Sequence, residues 1–420
     1  VAYGDGTKPY QRPDGRWAAS IEVGWSENGK RRRRWVTAKT KAECARKLRN
    51  AKREINSANA TSTLPNLTVK RWADEWLPIK ATELRPKAYA SLETHVTRWI
   101  VPNIGQRRIH DLTPTDVRKI DAAIKRAGLM TWTTINVRRT LTTMLKAALV
   151  EGYTVPPSVL AMPLPKKPVN NRRSIPLDDV VTLLRTAIAP PHPAGDLEGP
   201  KNKARRYFYR TDGTRWLAAL LYGQRQGESL GMTWSQIDFE AGVMDVDRQL
   251  QYIPPRARTA GVLDNDWYDA THLTGHYYSV PVKSRAGDRL LPMLPIFATL
   301  LESWRDRCPT SPYDLVWPRQ NGGPWSVHDD MLAWQGLQDV AGIHKGGSGT
   351  KDDPWVYWVP HEARHSVATL LMVLKIPAPV IISIMGHSSI ASTLNYQHAD
   401  MEQARQALAG MAGLLQIEGA

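Results

Sequence analysis

A chain of 420 residues with ordinary apolar content is long enough for two or three domains, each with its own core, and is neither fibrous nor disordered. Lys and Arg outnumber Asp and Glu by 56 to 40, and the net charge of +16 points to a polyanionic partner: DNA, RNA or an acidic membrane surface. Cys44 and Cys308 stand far apart without CxxC spacing, no apolar run is long enough to span a bilayer and the polar start does not read as a signal peptide, so a disulfide framework, a cysteine zinc site and a membrane protein drop out and a reducing, cytoplasmic compartment is expected.

Residues 16 to 25 alternate through Trp17, Ala19, Ile21, Val23 and Trp25, and Glu27-Asn28-Gly29 then offers a tight hairpin before Arg31 to Thr37. A small antiparallel sheet is expected, followed by a helix that Thr40 and Glu43 open as a capping box. Lys30, Arg31, Arg32, Arg33 and Arg34 run along the second strand. Residues 1–60 hold 15 Lys and Arg against 6 Asp and Glu, a net +9 in a seventh of the chain. Consecutive cations repel one another unless something anionic lies across them, so this segment reads as a DNA-binding sheet.

Ser57 to Asn66 is a polar linker, and a helical module is expected over 67–162. Trp72 and Trp76 share one helical face; Tyr89, Leu92, Val96 and Ile100 form another stripe. Thr113-Pro114-Thr115-Asp116 reads as an N-cap, a first-turn proline and an acidic third position. A helix from about Thr133 to Val150 carries Arg138, Arg139 and Lys146 as candidate DNA contacts. Met162 to Pro168 breaks helix repeatedly, and its Lys166 and Lys167 suit an extended linker along a phosphate backbone.

From residue 174 to 420 an α+β domain is expected, with helices near 177–188, 213–224, 295–306, 327–341 and 361–374 and strands around 242–252 and 277–293. Segments 190–212 and 253–276, rich in Pro, Gly and charge, read as surface insertions. The whole is therefore multidomain: a small antiparallel sheet plus helix, an all-α four-helix module and an α+β domain.

His361-Glu362-Ala363-Arg364-His365 is a literal His-Glu-x-x-His, the spacing that binds zinc beside a general-base Glu. No third ligand follows at a fixed spacing, and a basic sheet and linker fit a protease poorly. The same helix places His361 and Arg364 on one face just after Pro360, at a terminus suited to phosphate. Upstream, Arg225 lies in a Gly-x-Arg-x-Gly-Glu turn ending at Glu228. Lys283 lies near the tip of a hairpin over 278–289. Downstream, Gly386-His387 precedes Tyr396 by nine residues of a polar helix.

Taken in chain order, Arg225, Lys283, His361 with Arg364, His387 and Tyr396 resemble the tyrosine recombinases, the phage-integrase family, over most of the chain. The resemblance implies an arm-type DNA-binding domain at 1–60, a core-binding domain at 67–162 and a catalytic domain at 174–420. It further implies metal-free and ATP-free strand transfer, with no cofactor, in which Tyr396 attacks a phosphate to give a 3′-phosphotyrosine. Arg225 and Arg364 would neutralise the phosphate, Lys283 protonate the leaving oxygen, His361 act as acid or base and His387 donate a hydrogen bond, with Glu228 orienting an arginine and His365 in support. Implied partners are double-stranded DNA at core-type and arm-type sites in the nucleoid of a bacterial host, three further copies in a tetramer passing through a Holliday junction, and a directionality factor and a DNA-bending protein. The stripe Ala404, Leu408, Met411 and Leu415 would dock on a neighbouring subunit. A type IB topoisomerase-like relaxer would use nearly the same residues; the extra basic sheet argues for recombination. A non-catalytic DNA-binding regulator would lack the adduct. Gln224, where a Leu is common, departs from the pattern.

Overall fold

The computed structural model describes residues 7, 9–25, 31–59, 67–168, 173–189, 203–386 and 401–415. The chain forms two compact units, residues 1–80 with 91–168 and residues 81–90 with 169–420.

The first unit opens with an antiparallel sheet of β1 (Tyr10–Gln11), β2 (Trp17–Trp25) and β3 (Arg31–Ala38), followed by helix α1 (Lys41–Asn59). Alternation along β2 and β3 turns Ala19, Ile21 and Ala38 toward Cys44 and Leu48 of α1, giving this segment its own small core. Thr40 Oγ1 accepts the Glu43 amide at 3.2 Å and starts the helix. Ile21 pairs with Arg34 whereas Ser20 pairs with Trp35, so Arg34 and Trp35 lie on opposite faces of the sheet, and Trp35 stands 54% exposed on the one away from α1. The hairpin turn at Glu27 to Gly29 lies outside the described residues, as does Lys30; of Arg31, Arg32 and Arg33 only the backbone is described.

The helices that follow are α2 (Val69–Glu83), α3 (Pro86–Thr94), α4 (Val101–Ile104), α5 (Pro114–Arg126), α6 (Thr131–Val150) and α7 (Pro157–Leu160). Between α3 and α4 the helix widens to a π-turn over His95–Ile100, just before Pro102, which has no N–H to give back to the preceding turn. Trp72 and Trp76 are buried, and the Trp72 indole donates to the Met144 carbonyl at 2.8 Å. Thr113 is the expected N-cap of α5, and with Asp116 it forms a capping box. Near the end of α2 the carbonyls of Ala81 and Thr82 accept from Asn265 Nδ2 (2.9 Å) and Trp267 Nε1 (3.1 Å), within the second unit.

The second unit continues with helices α8 (Leu177–Ile188), α9 (Lys203–Phe208), α10 (Thr214–Leu220) and α11 (Gln226–Leu230). Strands β4 (Ile237–Asp238), β5 (Val243–Val246) and β6 (Arg248–Tyr252), a short helix α12 (Pro255–Thr259), and strands β7 (Thr271–Thr274), β8 (Tyr277–Pro281) and β9 (Arg289–Pro292) come next. They form two antiparallel sheets, β4-β5-β9 and β6-β8-β7. Helices α13 (Pro295–Arg305), α14 (Val327–Ala341), α15 (Pro360–Val373), α16 (Ala378–Met385) and α17 (Met401–Leu414) complete the unit. The shared core includes Trp216, Met244, Leu291, Phe297, Trp334, Val367, Ile384 and Leu408. Two of its indoles also tie carbonyls: Trp334 donates to Trp358 and Trp304 to Val316, both at 2.6 Å.

One expectation is corrected. The segments read as surface insertions contribute to packing: α9 buries Phe208 and brings the Ala204 carbonyl against Gly336, where a Cβ would meet it at 2.2 Å, and Ile253, Ala257 and Val262 are fully buried. Residues 190–202 of the first segment lie outside the described residues. In the single chain the apolar stripe of α17 packs into this core: Ala404, Leu408, Met411 and Leu415 are at most 5% exposed.

Candidate active site

Arg225 is the residue before α11, at the end of a turn that Gly223 makes possible. Gly223 has φ +59°, and a Cβ there would stand 2.9 Å from the Met385 Cε. Glu228, three residues on and 1% exposed, accepts the Arg225 amide at 3.0 Å and pairs with its guanidinium. The other Arg225 terminal nitrogen donates to the Gly386 carbonyl at 2.8 Å. Gln226 is fixed in turn by Asp330, which also pairs with the buried Arg215 at 3.0 Å.

Arg364 lies in the first turns of α15 and is 2% exposed. It donates to the Gly223 carbonyl at 2.6 Å and also to the Met385 carbonyl. Burial, together with the charges of Arg225 and Arg289, brings Arg364 down to about 9. It therefore still carries its charge at neutral pH.

Arg289, at the start of β9, was not singled out from the sequence. It donates Nε to the Ile384 carbonyl (2.9 Å), Nη1 to the Gly287 carbonyl (2.7 Å) and Nη2 to Glu228 Oε2 (2.9 Å). Three guanidiniums thus converge on the carbonyls of Ile384, Met385 and Gly386, where the chain leaves α16 through Gly386 in the left-handed region at φ +61°. Burial presses the Glu228 carboxyl up, but Arg289 and Arg225 outweigh it and hold it below the usual carboxylate range.

Lys283 is exposed, and its setting differs from the expected hairpin tip. Strands β8 and β9 do not pair with each other; they pair with β6 and β5, which are separated only by Asp247. Residues 282–288 form an excursion opposite that one residue. Lys283 rides on it, where a bulge re-aims a side chain out of the sheet. The Val282 carbonyl accepts from Arg85 at 3.1 Å, and the far end of the excursion approaches Gly386, whose Cβ would meet the Ala286 carbonyl at 2.9 Å.

His361 is exposed in the first turn of α15, its ring centroid 4.7 Å from that of His365 in an edge-to-face contact. The His-Glu-x-x-His motif is occupied otherwise than a zinc hydrolase requires. Glu362 is 2% exposed, accepts the Val359 amide at 3.0 Å and pairs with Lys345, so its carboxylate closes the helix end and does not face a metal-bound water. Among the described residues no group of His, Cys, Asp and Glu converges as a metal site.

The structure therefore brings Arg225, Glu228 and Arg364 together with the unanticipated Arg289, and sets the Lys283 excursion and His361 on elements that meet there. His387 and Tyr396 lie outside the described residues, one and ten positions beyond Gly386. Among the expected DNA contacts, Arg139 and Lys146 are exposed on α6, and Lys166 and Lys167 are exposed in an extended segment. Arg138 is corrected: it is 6% exposed, pairs with Asp121 at 3.6 Å and donates to the Met162 carbonyl, all within its own unit.

Comparison with known proteins gives two matches by family: the phage integrase family over residues 209–403, and the phage integrase N-terminal SAM-like domain over residues 68–121. An integrase of Saccharopolyspora erythraea is 24% identical, covering 93% of this chain and 92% of its own. An integrase of Streptomyces ambofaciens is 25% identical, covering 93% of this chain and 91% of its own. Among solved structures, the Tn1549 transposon integrase in complex with transposon right end DNA matches with a TM-score of 0.57 at 18% identity, over 82% of this chain and all of that one. A lambda integrase tetramer bound to a Holliday junction matches with a TM-score of 0.51 at 16% identity, over 94% of this chain and 98% of that one. At these identities the two structures speak for the fold alone.

Proposed function

The chain belongs to the phage integrase family of tyrosine recombinases, site-specific DNA recombinases, and from that premise we propose that Tyr396 cuts DNA by attacking a phosphodiester while Arg225 and Arg364 hold the phosphate. The attack forms an ester between the Tyr396 oxygen and the 3′-phosphate and breaks the bond to the 5′-oxygen, which leaves as a hydroxyl after taking a proton from Lys283. His361 exchanges the tyrosine proton, and His387 donates to a phosphate oxygen. Because the ester conserves the energy of the phosphodiester, attack by the 5′-hydroxyl of another strand rejoins the DNA without ATP.

Ionising a free tyrosine at pH 7 costs about 4 kcal/mol, so positive charge must be preorganised near the phosphate. The observation that carries this reading is the pair Arg225 and Arg364, held at the Met385 and Gly386 carbonyls immediately before the segment that contains His387 and Tyr396. The experiment is direct: incubate wild type and Tyr396→Phe with a nicked attachment-site duplex and look for a denaturation-resistant protein–DNA adduct. Wild type should form it and the variant should not; any other pattern removes Tyr396 from the role of nucleophile.

On the same reading residues 1–60 bind arm-type sites through the sheet, residues 67–162 bind core-type sites, and four copies act on two duplexes through a Holliday junction. A directionality factor and a DNA-bending protein complete the reaction, in the nucleoid of a bacterial host. Among the described residues no helix is long and apolar enough to cross a membrane.

A further inference from the structure

Arg289 is almost entirely buried, yet from the sequence it was only the closing residue of the stretch that carries Lys283 and had no role of its own. A guanidinium withdrawn from water is costly, and an apolar side chain of similar volume at such a position is often at least as stable. Arg289 offsets that cost with three bonds, one from each nitrogen, and each goes to a different segment. Glu228 belongs to the Arg225 turn. Gly287 belongs to the excursion that carries Lys283. Ile384 is the penultimate residue of α16, three positions before His387 in the segment that also holds Tyr396. The planar fork of an arginine can span such a set, whereas a lysine offers one point charge.

We propose that Arg289 is a positioning residue for strand cleavage: it orients Arg225 through their common carboxylate, Glu228, and with the same side chain fixes the end of α16 from which the Tyr396 segment departs. The phosphate clamp and the nucleophile-bearing segment thereby share one anchor. The inference rests on the reading of Arg225 and Tyr396 given above. It makes a distinction that a general packing role does not: loss of Arg289 should slow the chemical step and leave DNA affinity unchanged, and its effect should travel through Glu228.

The test compares wild type, Arg289→Lys, Glu228→Gln and the double variant on a nicked attachment-site duplex, measuring duplex affinity and the single-turnover rate of adduct formation. Arg289→Lys should bind with wild-type affinity and form adduct about 100-fold more slowly, the scale expected when a reacting group is displaced by about an ångström. The double variant should be no slower than the slower single variant. Thermal melting reports folding; if Arg289→Lys does not melt cooperatively, Glu228→Gln carries the same comparison, since it leaves both carbonyl bonds of Arg289 in place. Wild-type rates, equal losses of affinity and rate, or multiplicative defects in the double variant would overturn the proposal. Tyr396→Phe run alongside separates the two levels: an adduct from that variant removes the reading on which the inference rests, whereas no adduct there with a wild-type rate in Arg289→Lys removes the inference alone.

Discussion

Glu228 takes two arginines on one carboxylate, and that makes its contribution to folding pH-dependent in a definite direction. Its carboxyl is held below the ordinary value of 4.5 when folded, so the stabilisation is fully present above about pH 4.5 and is lost as pH falls through the lower folded value. Wild type should therefore melt well above Glu228→Gln at neutral pH, and the gap should close as melting is repeated from pH 5 to pH 3. A gap that stays constant over that range would mean the carboxylate charge is not what the variant removes. Residue-scale legibility follows the same geometry. Arg225, Glu228 and Arg364 were legible because each sits in a short motif with local punctuation by glycine or proline. Arg289 was not, because two of its three partners are 61 and 95 residues away and an arginine opening a strand carries no local sign of burial.

At the scale of elements, α6 shows how two adjacent cations acquire opposite roles. Helical periodicity puts Arg138 on the stripe of Ile135, Leu141 and Leu145, all buried, while Arg139 shares the open face with Asn136, Thr143 and Lys146. That division was available from spacing alone; reading the cations as one patch overlooked it. Arg138→Ala should lower stability by about 2 kcal/mol in urea unfolding, because Asp121 is left partly buried without its partner. Arg139→Ala should leave stability within about 0.5 kcal/mol of wild type and instead weaken binding to core-site duplex, with the slope of log affinity against log salt reduced by about 1. The Lys283 excursion was legible only in part for a different reason: alternation reveals that 277–293 is extended, but the residues it pairs with, and hence the bulge opposite Asp247, are set by tertiary contact.

At the scale of the molecule, the charge distribution and the cores argue together. Residues 1–60 carry a net +9, and among the described residues the sheet packs on α1 through a core of residues between Trp17 and Leu48. The helical module is built on a different core that begins at Leu67 and ends at Val159, with Met162 packed against it. Among the described residues no member of that second core, or of the one that includes Trp216 and Leu408, comes from residues 1–60. The truncated chain should fold, melt cooperatively and form the tyrosine adduct on a core-site duplex at a rate close to that of the full chain. What it should lose is the capture of a second duplex carrying arm-type sequence, measured by co-retention of two differently labelled DNAs, and with it integrative recombination. Much of the salt sensitivity of duplex capture should disappear as well, since the densest cationic stretch is gone. Equal loss of adduct formation and duplex capture would place the sheet within the core-site machinery and end its reading as a separate DNA-bridging module.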